Sequence, residues 1–427
     1  MKVYLDNSAT TKLDSRVFAA MKPYLLDKYA NPSSIHLEGQ ALYLDLERAR
    51  NEAAKILGVE ARGIIFTASA TEANNLIIKG FARANRTKEK SRILVSELEH
   101  PSVLEAAREL EDEGFKLDYL RANKRGIIES SELEKKIDDK VLLVSVMAVN
   151  NEIGTINNIE ALAKITHKFG AYFHSDIVQA IPYLKIDGEK MGLDFFSLSA
   201  HKFNGPRGVG LAYIKPGLKI KSQIVGGGQE DNKRAGTHNL AGIIGLVEAL
   251  KISYQERSSY LKNVRVLRDY LWRSLNKEIK GLKVNGCLKA RVAANLNIMF
   301  GSIEGEAILM DLAYKGISVS TGSACSASNL KSSYVLRAIG LEDYSLNSNI
   351  RFSLGRFNTK AEIDYTIKAL KETVTRLRSF SPVESSVKTK IKNISTSFGY
   401  GYSYMLAQNK TVCKIKALNP FAHDKFA

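Results

Sequence analysis

Ser197-Leu-Ser-Ala-His-Lys-Phe-Asn-Gly-Pro-Arg-Gly-Val-Gly210 places one lysine, Lys202, after small and polar residues and before a glycine-rich return. A lysine that forms a Schiff base needs an amine able to lose its proton near neutral pH and a backbone that packs closely around a cofactor ring. Upstream, Ala171-Tyr-Phe-His-Ser-Asp176 is an apolar run that reads as a buried strand delivering Asp176 at its carboxyl end, where an acid can keep a pyridine nitrogen protonated. Taken singly, Lys202 reads as a surface lysine and Asp176 as a turn residue. In this order and context the pair points to pyridoxal phosphate.

Further apolar runs surround that pair: Gly63 to Thr67, Arg92 to Ser96, Val141 to Ser145, Asp194 to Ser199 and Val209 to Ile214, alternating with amphipathic stretches. The pattern predicts an α/β fold with a mostly parallel sheet. From about Leu240 the texture changes. Long polar helices are expected at Ala241 to Lys280 and Lys360 to Ser379, with short strands at Asn295 to Phe300 and Asn349 to Ser353, which suggests a smaller α+β domain. After Ser381 the periodicity is lost and lysine, serine and tyrosine dominate.

The chain has 427 residues, 44% of them hydrophobic and 25% charged, which suits a globular protein with a large core. No apolar run approaches the roughly 20 residues of a membrane span, and Met1 to Asn7 reads as a strand rather than a cleavable leader. The expected setting is the cytoplasm. Cys287, Cys325 and Cys413 are too few and too irregularly spaced for a disulfide framework or a zinc site, so no metal is expected and any special cysteine is a free thiol. A net charge of +17 suits an anionic partner, but no zinc-finger spacing, aromatic RNA-binding motif or basic-region helix accompanies it, which argues against nucleic acid.

Other residues fit the same cofactor. In Phe66-Thr-Ala-Ser-Ala-Thr-Glu-Ala-Asn-Asn75 a strand ends and a helix starts, so backbone N–H groups near Ala70 and Thr71 can converge on a phosphate. An ordinary helix start reads the same way. His100 can stack on the ring, Asn151 and Gln179 can bond its phenolic oxygen, and Ser199 and His201 can reach the phosphate. Gly226 to Thr237 is a glycine-rich basic loop whose Arg234 and Thr237 suit an anion.

The chain resembles the cysteine desulfurases of the NifS/IscS group, within the class V aminotransferase branch of fold-type I pyridoxal phosphate enzymes. The motifs that carry the resemblance are Tyr4 to Thr11, Asn31-Pro-Ser-Ser34, Thr71 to Asn75, Glu99-His100, Val149 to Gly154, His174 to Asp176, Ser199 to Lys202, Gly226 to Thr237, Gly322-Ser-Ala-Cys325 and Arg351 to Arg356, in family order over roughly residues 1 to 380. It implies a large cofactor domain at 16–255, a small domain made of 1–15 and 256–380 that carries the cysteine loop, and a basic extension at 381–427.

It further implies that Lys202 is the Schiff-base lysine, that Asp176 pairs with the pyridine nitrogen, and that His100 stacks on the ring as an acid/base. Ala70, Thr71, Ser199 and His201 would hold the phosphate, Asn151 and Gln179 the oxygen side. Thr237 would reach the phosphate of a neighbouring subunit in a homodimer, and Arg351 would fork onto the carboxylate of L-cysteine. Cys325, in the small-residue run Ser318 to Ser333, would take the sulfur as a persulfide and pass it to an acceptor or iron–sulfur scaffold protein. An ordinary thiol titrates near 8.5, so only a few per cent of it is thiolate at neutral pH unless its surroundings help.

Departures from the family pattern fall at Ala68 and Ser69, at Lys331-Ser332 where an acid and a proline are usual, and in the tail, whose Cys413 reads as an unreactive thiol. The alternatives are a selenocysteine lyase or aminotransferase of the same fold, or an inactive scaffold for sulfur assembly.

Overall fold

Seven strands form the main sheet in the order Ile64–Thr67, Gly210–Ile214, Phe195–Ser199, Tyr172–Asp176, Val141–Ser145, Arg92–Ser96 and Lys116–Leu120. This computed structural model describes residues 1–321 and 332–380. Every pair is parallel except the two made by Gly210–Ile214, which runs antiparallel to both of its neighbours. Because that strand reverses twice, Ile64–Thr67 again points the same way as Phe195–Ser199.

The apolar runs are continuous because both faces of the sheet are covered. Ile64, Phe66, Leu94, Val144, Phe173 and Phe196 join one core, while their neighbours Ile65, Ile93, Val95, Leu143 and Phe195 join the core on the opposite face. This is the two-residue alternation of a strand. Burial of a phenylalanine contributes roughly 1.5–3 kcal/mol, so both faces stabilise the sheet strongly.

A second sheet, Asn349–Ser353, Asn295–Phe300 and Leu282–Val284, is antiparallel. Its core includes Leu271 and Leu275 of the helix Arg257–Glu278, Ile308 and Leu312 of Gly305–Tyr314, and Ile363 and Leu370 of Lys360–Ser379. Val3–Tyr4 pairs in parallel with Ile317–Ser318, so the first residues are built into this part of the chain. Residues Met1–Arg378 form one compact unit; of the remainder, only Ser379 and Phe380 lie within the described residues. Among the described residues no helix is long and apolar enough to cross a membrane.

The helix expected over Ala241 to Lys280 is two helices, Leu240–Gln255 and Arg257–Glu278. They meet at Glu256, whose carboxylate is held by Arg16 and Arg356. The first of them is also not polar. Eleven of its residues, from Leu240 to Ser253, are buried, because it packs against the helices Ser15–Leu26 and Leu37–Leu57. Periodicity alone does not separate a wholly buried helix from an amphipathic one.

Candidate active site

The parallel strands end along one edge of the sheet, the edge at which open α/β sheets bind ligands. Asp176 is the last residue of its strand and is buried. Ser199 is the last residue of the next strand, and a single 3-10 turn, Ala200–Lys202, follows it. Thr67 closes a third strand before the helix Ala70–Asn85, whose cap is Ser69. Gly210 makes that approach possible. A Cβ there would lie 2.6 Å from the carbonyl carbon of Ser69, so only glycine lets the turn pack on the strand.

Ser69, Ala70, Thr71, Asp176, Ser199, His201 and Lys202 line one cavity of about 370 Å3, together with Ser8, Ala9, His100, Ser102, Met147, Asn151, Glu152, Gln179, Tyr334 and Arg351. Its size falls in the range of about 300–1,000 Å3 that holds small ligands. A larger depression of about 770 Å3 contains Arg50, Glu230 and His238, but its buried carboxylate is committed to those two side chains and to the Phe66 N–H.

Nζ of Lys202 donates to the carbonyls of Ser8 at 2.7 Å and Ala9 at 2.8 Å. The amino-terminal segment is in turn fastened to the lysine turn: the Thr11 N–H and hydroxyl both donate to the His201 carbonyl, at 2.9 and 2.8 Å. Gln179 donates to the same Ser8 carbonyl at 2.9 Å.

Asp176 accepts from the Val178 N–H at 3.0 Å and from Asn74 Nδ2 at 3.1 Å. Asn74 Nδ2 also donates to Ser102 Oγ, at 2.9 Å. The Ser102 N–H donates to His100 Nδ1 at 3.1 Å, which leaves the proton of a neutral imidazole on Nε2. Burial, and then the charge of Lys202, lower the His100 pKa, while Asp176 opposes them. His201 is lowered to about 4, first by burial and then by Lys202 and Arg207. Both rings are therefore neutral at physiological pH.

Arg351, on the strand Asn349–Ser353, is nearly fully buried. Its Nη1 donates to the Asn151 carbonyl at 2.9 Å and its Nη2 to Asp6 at 2.7 Å. Two buried glutamates lie close by, Glu152 in the wall and Glu99 next to His100 in the chain. Burial raises Glu99 well above the carboxylate range, with Asp176 adding to the shift and the Met147 N–H opposing it. Glu152 is pushed up to about 7 by burial, against the hydroxyl of Ser333 and the charge of Arg351.

Of the residues singled out from the sequence, Ala70, Thr71, His100, Asn151, Asp176, Gln179, Ser199, His201, Lys202 and Arg351 share this cavity. Thr237 does not. It is exposed on its loop, and Arg234, read as an anion-binding residue, is instead paired with Glu72 at 2.8 Å. Cys325 and Cys413 lie outside the described residues. The sequence reading missed Ser8, Ala9, Ser102 and Tyr334, and gave no role to Asn74 or Glu152. Asn74 and Glu152 lie in polar runs, Ala70 to Asn75 and Val149 to Gly154, so nothing local marks them beforehand.

The donor set fits pyridoxal phosphate. A buried carboxylate sits at the cavity floor, an amine stands at its side, and a helix amino terminus with nearby Ser199 and His201 supplies donors for a phosphate.

The family model for class V aminotransferases matches residues 3–366. A protein described as cysteine desulfurase IscS from Dictyoglomus turgidum is 43% identical over 392 residues, covering 92% of this chain and 99% of its own length. A solved structure titled NIFS-like protein superposes with a TM-score of 0.83 at 38% identity, covering 88% of this chain and 100% of its own. Another, titled SspA in complex with cysteine, has a TM-score of 0.74 at 30% identity and covers 84% of this chain and 100% of its own. The chain belongs to the class V aminotransferase family, a family of pyridoxal phosphate enzymes. Within it, the chain falls in the cysteine desulfurase group.

Proposed function

We infer that this protein is a pyridoxal phosphate-dependent cysteine desulfurase that converts L-cysteine to L-alanine and carries the sulfur as a persulfide on Cys325. The observation that carries the reading is the convergence of Lys202, Asp176, His100 and Arg351 on one cavity. The relatives named cysteine desulfurase support it, and Cys325 in the sequence separates it from plain transamination, which needs no thiol.

When bound, the cofactor supplies an electron sink that makes the Cα proton of an amino acid acidic. Asp176 holds its ring nitrogen, with Asn74 orienting the carboxylate. Ala70, Thr71, Ser199 and His201 hold its phosphate, and Asn151 and Gln179 its oxygen side. His100 covers the ring face as a neutral imidazole. Arg351 takes the substrate carboxylate, for which a guanidinium offers two parallel donors. Lys202, once its amine is neutral, takes the Cα proton. Cys325 thiolate then bonds to the sulfur of cysteine as the C–S bond breaks. The electron pair of that bond stays on Cβ and is protonated, Lys202 returns a proton to Cα, and alanine leaves.

The chain works as a homodimer in this reading, with Thr237 offered to the neighbouring subunit's phosphate. Residues 16–255 form the large domain, and 1–15 with 256–380 the small one, which the separate hydrophobic cores support. The persulfide passes to an acceptor or iron–sulfur scaffold protein. The cytoplasm, where thiols stay reduced, is the compartment proposed. Purified holoenzyme given L-cysteine and a thiol reductant is expected to yield alanine and sulfide in equal amounts. Cofactor-loaded protein that yields neither would overturn the reading.

A further inference from the structure

Glu152 is fixed by three bonds to its own backbone. Its N–H donates to Asn150 Oδ1 at 2.9 Å, and its carbonyl accepts from Asn295 Nδ2 at 3.2 Å and Asn297 Nδ2 at 3.1 Å. From this rigid base its side chain reaches Ser333, whose hydroxyl donates to Oε2 at 2.6 Å. Ser333 Oγ also accepts the Leu336 N–H at 3.1 Å and so caps the short helix Tyr334–Ala338.

The next residue makes a second contact of the same kind. The Tyr334 hydroxyl donates to the carbonyl of Glu99, the neighbour of His100, and Tyr334 lines the cavity. Between these polar contacts, Val335, Leu336 and Ile339 pack with Leu98 and Ile153 in a small core of their own. The segments 98–100 and 151–153 each give the helix one apolar and one polar contact. Both segments carry cavity residues, His100 and Asn151. The start of the helix is thereby registered against the ring-stacking histidine and against the Asn151 carbonyl that holds Arg351.

A carboxyl group buried with one hydroxyl partner is a poor way to stabilise a fold. Replacing both partners of such a bond by apolar groups of the same shape can be nearly neutral or stabilising. The geometry instead sets the position of Ser333 and Tyr334, and Cys325 lies eight residues before Ser333 in the sequence. A misplacement of about 1 Å can cost a reaction 100-fold.

We propose that Glu152 and Ser333 are a positioning pair for the sulfur-transfer step, acting through the helix anchor on the reaction of Cys325 and not on cofactor binding or Cα proton removal. The inference rests on the desulfurase reading. Two half-reactions of the holoenzyme separate its role from that of an ordinary structural contact. Exchange of the Cα deuteron of L-alanine with solvent, followed by NMR, uses the cofactor, Lys202 and Arg351 but no thiol. Appearance of one extra sulfur on the Cys325 peptide after rapid mixing with L-cysteine uses all of them.

Ser333→Ala is expected to slow persulfide formation about tenfold or more, while cofactor content and L-alanine exchange stay within about twofold of wild type. Ser333→Thr, which keeps the hydroxyl and the cap, is expected to restore persulfide formation to within about twofold. A parallel fall in both half-reactions would show a general structural role, and unchanged persulfide formation would show none; either overturns the proposal. If wild type exchanges L-alanine but forms no persulfide, the desulfurase reading itself fails and the proposal falls with it.

Discussion

Asn74 holds Asp176 by a 3.1 Å hydrogen bond from the same amide nitrogen that donates to Ser102 beside His100. The helix that begins at Ala70 therefore also orients the buried acid and reaches the histidine segment. A hydrogen bond to a charged group contributes about 1.5–3 kcal/mol, or roughly 10- to 100-fold in an equilibrium constant. Asn74→Ala should weaken cofactor retention by about tenfold or more, with a shifted pH dependence of the cofactor's visible band. Absorbance titration with pyridoxal phosphate measures both.

Lys202 is the point of covalent attachment in this account. Borohydride treatment of the holoenzyme should fix the cofactor on the Lys202 peptide, and Lys202→Ala should show no such adduct. Alanine production by that variant should fall by at least about 1,000-fold, because a missing base removes a general-catalysis contribution of about 100- to 10,000-fold as well as the attachment. Peptide mass spectrometry and an alanine assay decide it.

Arg351→Lys keeps the charge but loses the planar fork that pairs two donors with a carboxylate. KM for L-cysteine should rise about 10- to 100-fold, while the cofactor's absorbance stays as in wild type. A change in that absorbance with unaltered KM would remove Arg351 from the substrate site. Steady-state kinetics with a full substrate range gives the split.

Acid stability turns on two buried groups away from the chemistry. Arg50 donates to both oxygens of Glu230, at 2.8 and 2.9 Å, and His238 and the Phe66 N–H donate as well. These donors outweigh the cost of burial and lower the Glu230 pKa to about 2 from an ordinary 4.5. With the folded value depressed, its stabilisation is complete above about 4.5 and is lost as pH falls towards 2. His174, held neutral by burial at about 3, favours the fold fully above an ordinary 6.5 and loses that contribution on the way down. Between about pH 6.5 and 4.5 that loss is offset by Glu99 and Glu152, whose folded values lie above the ordinary carboxylate range and which therefore add stability as pH falls, so the net decline should set in below about pH 4.5. Glu230→Ala leaves Arg50 with only Glu47 and the Ile64 carbonyl and should cost about 3 kcal/mol at pH 7, with a flatter acid limb below pH 4.5; urea melts across pH 3 to 8 test both parts.

Much of this site can be read before the chain is folded. The apolar runs name six of the seven main strands, and the residues just after their carboxyl ends, from Ala70 to Lys202, are those that meet in the cavity. Strand periodicity and turn chemistry are local, so sequence carries them directly. The partners of Lys202 were hidden for the opposite reason. They are the carbonyls of Ser8 and Ala9, and every residue has a carbonyl; it is long-range contacts, among them the pairing of Val3–Tyr4 with Ile317–Ser318, the bond of Ser8 to Ser353 and those of Thr11 to His201, that bring those two to the site.

The same holds for Glu152 and Ser333, separated by 181 residues, and for Arg234, whose charge looked available until Glu72 was placed beside it. The expected single helix divides at Glu256, whose carboxylate is held by two arginines distant in sequence. Long-range polar pairing has no period, and so it leaves no local mark in the chain.

The most direct test of the desulfurase account is mass spectrometry of the cofactor-loaded protein after brief exposure to L-cysteine, with alanine quantified in the same tube. The account predicts one extra sulfur on the Cys325 peptide and an equal amount of alanine, both abolished in Cys325→Ser. Alanine formed at an unchanged rate by Cys325→Ser, or cofactor-loaded wild type with neither alanine nor added sulfur, would contradict it.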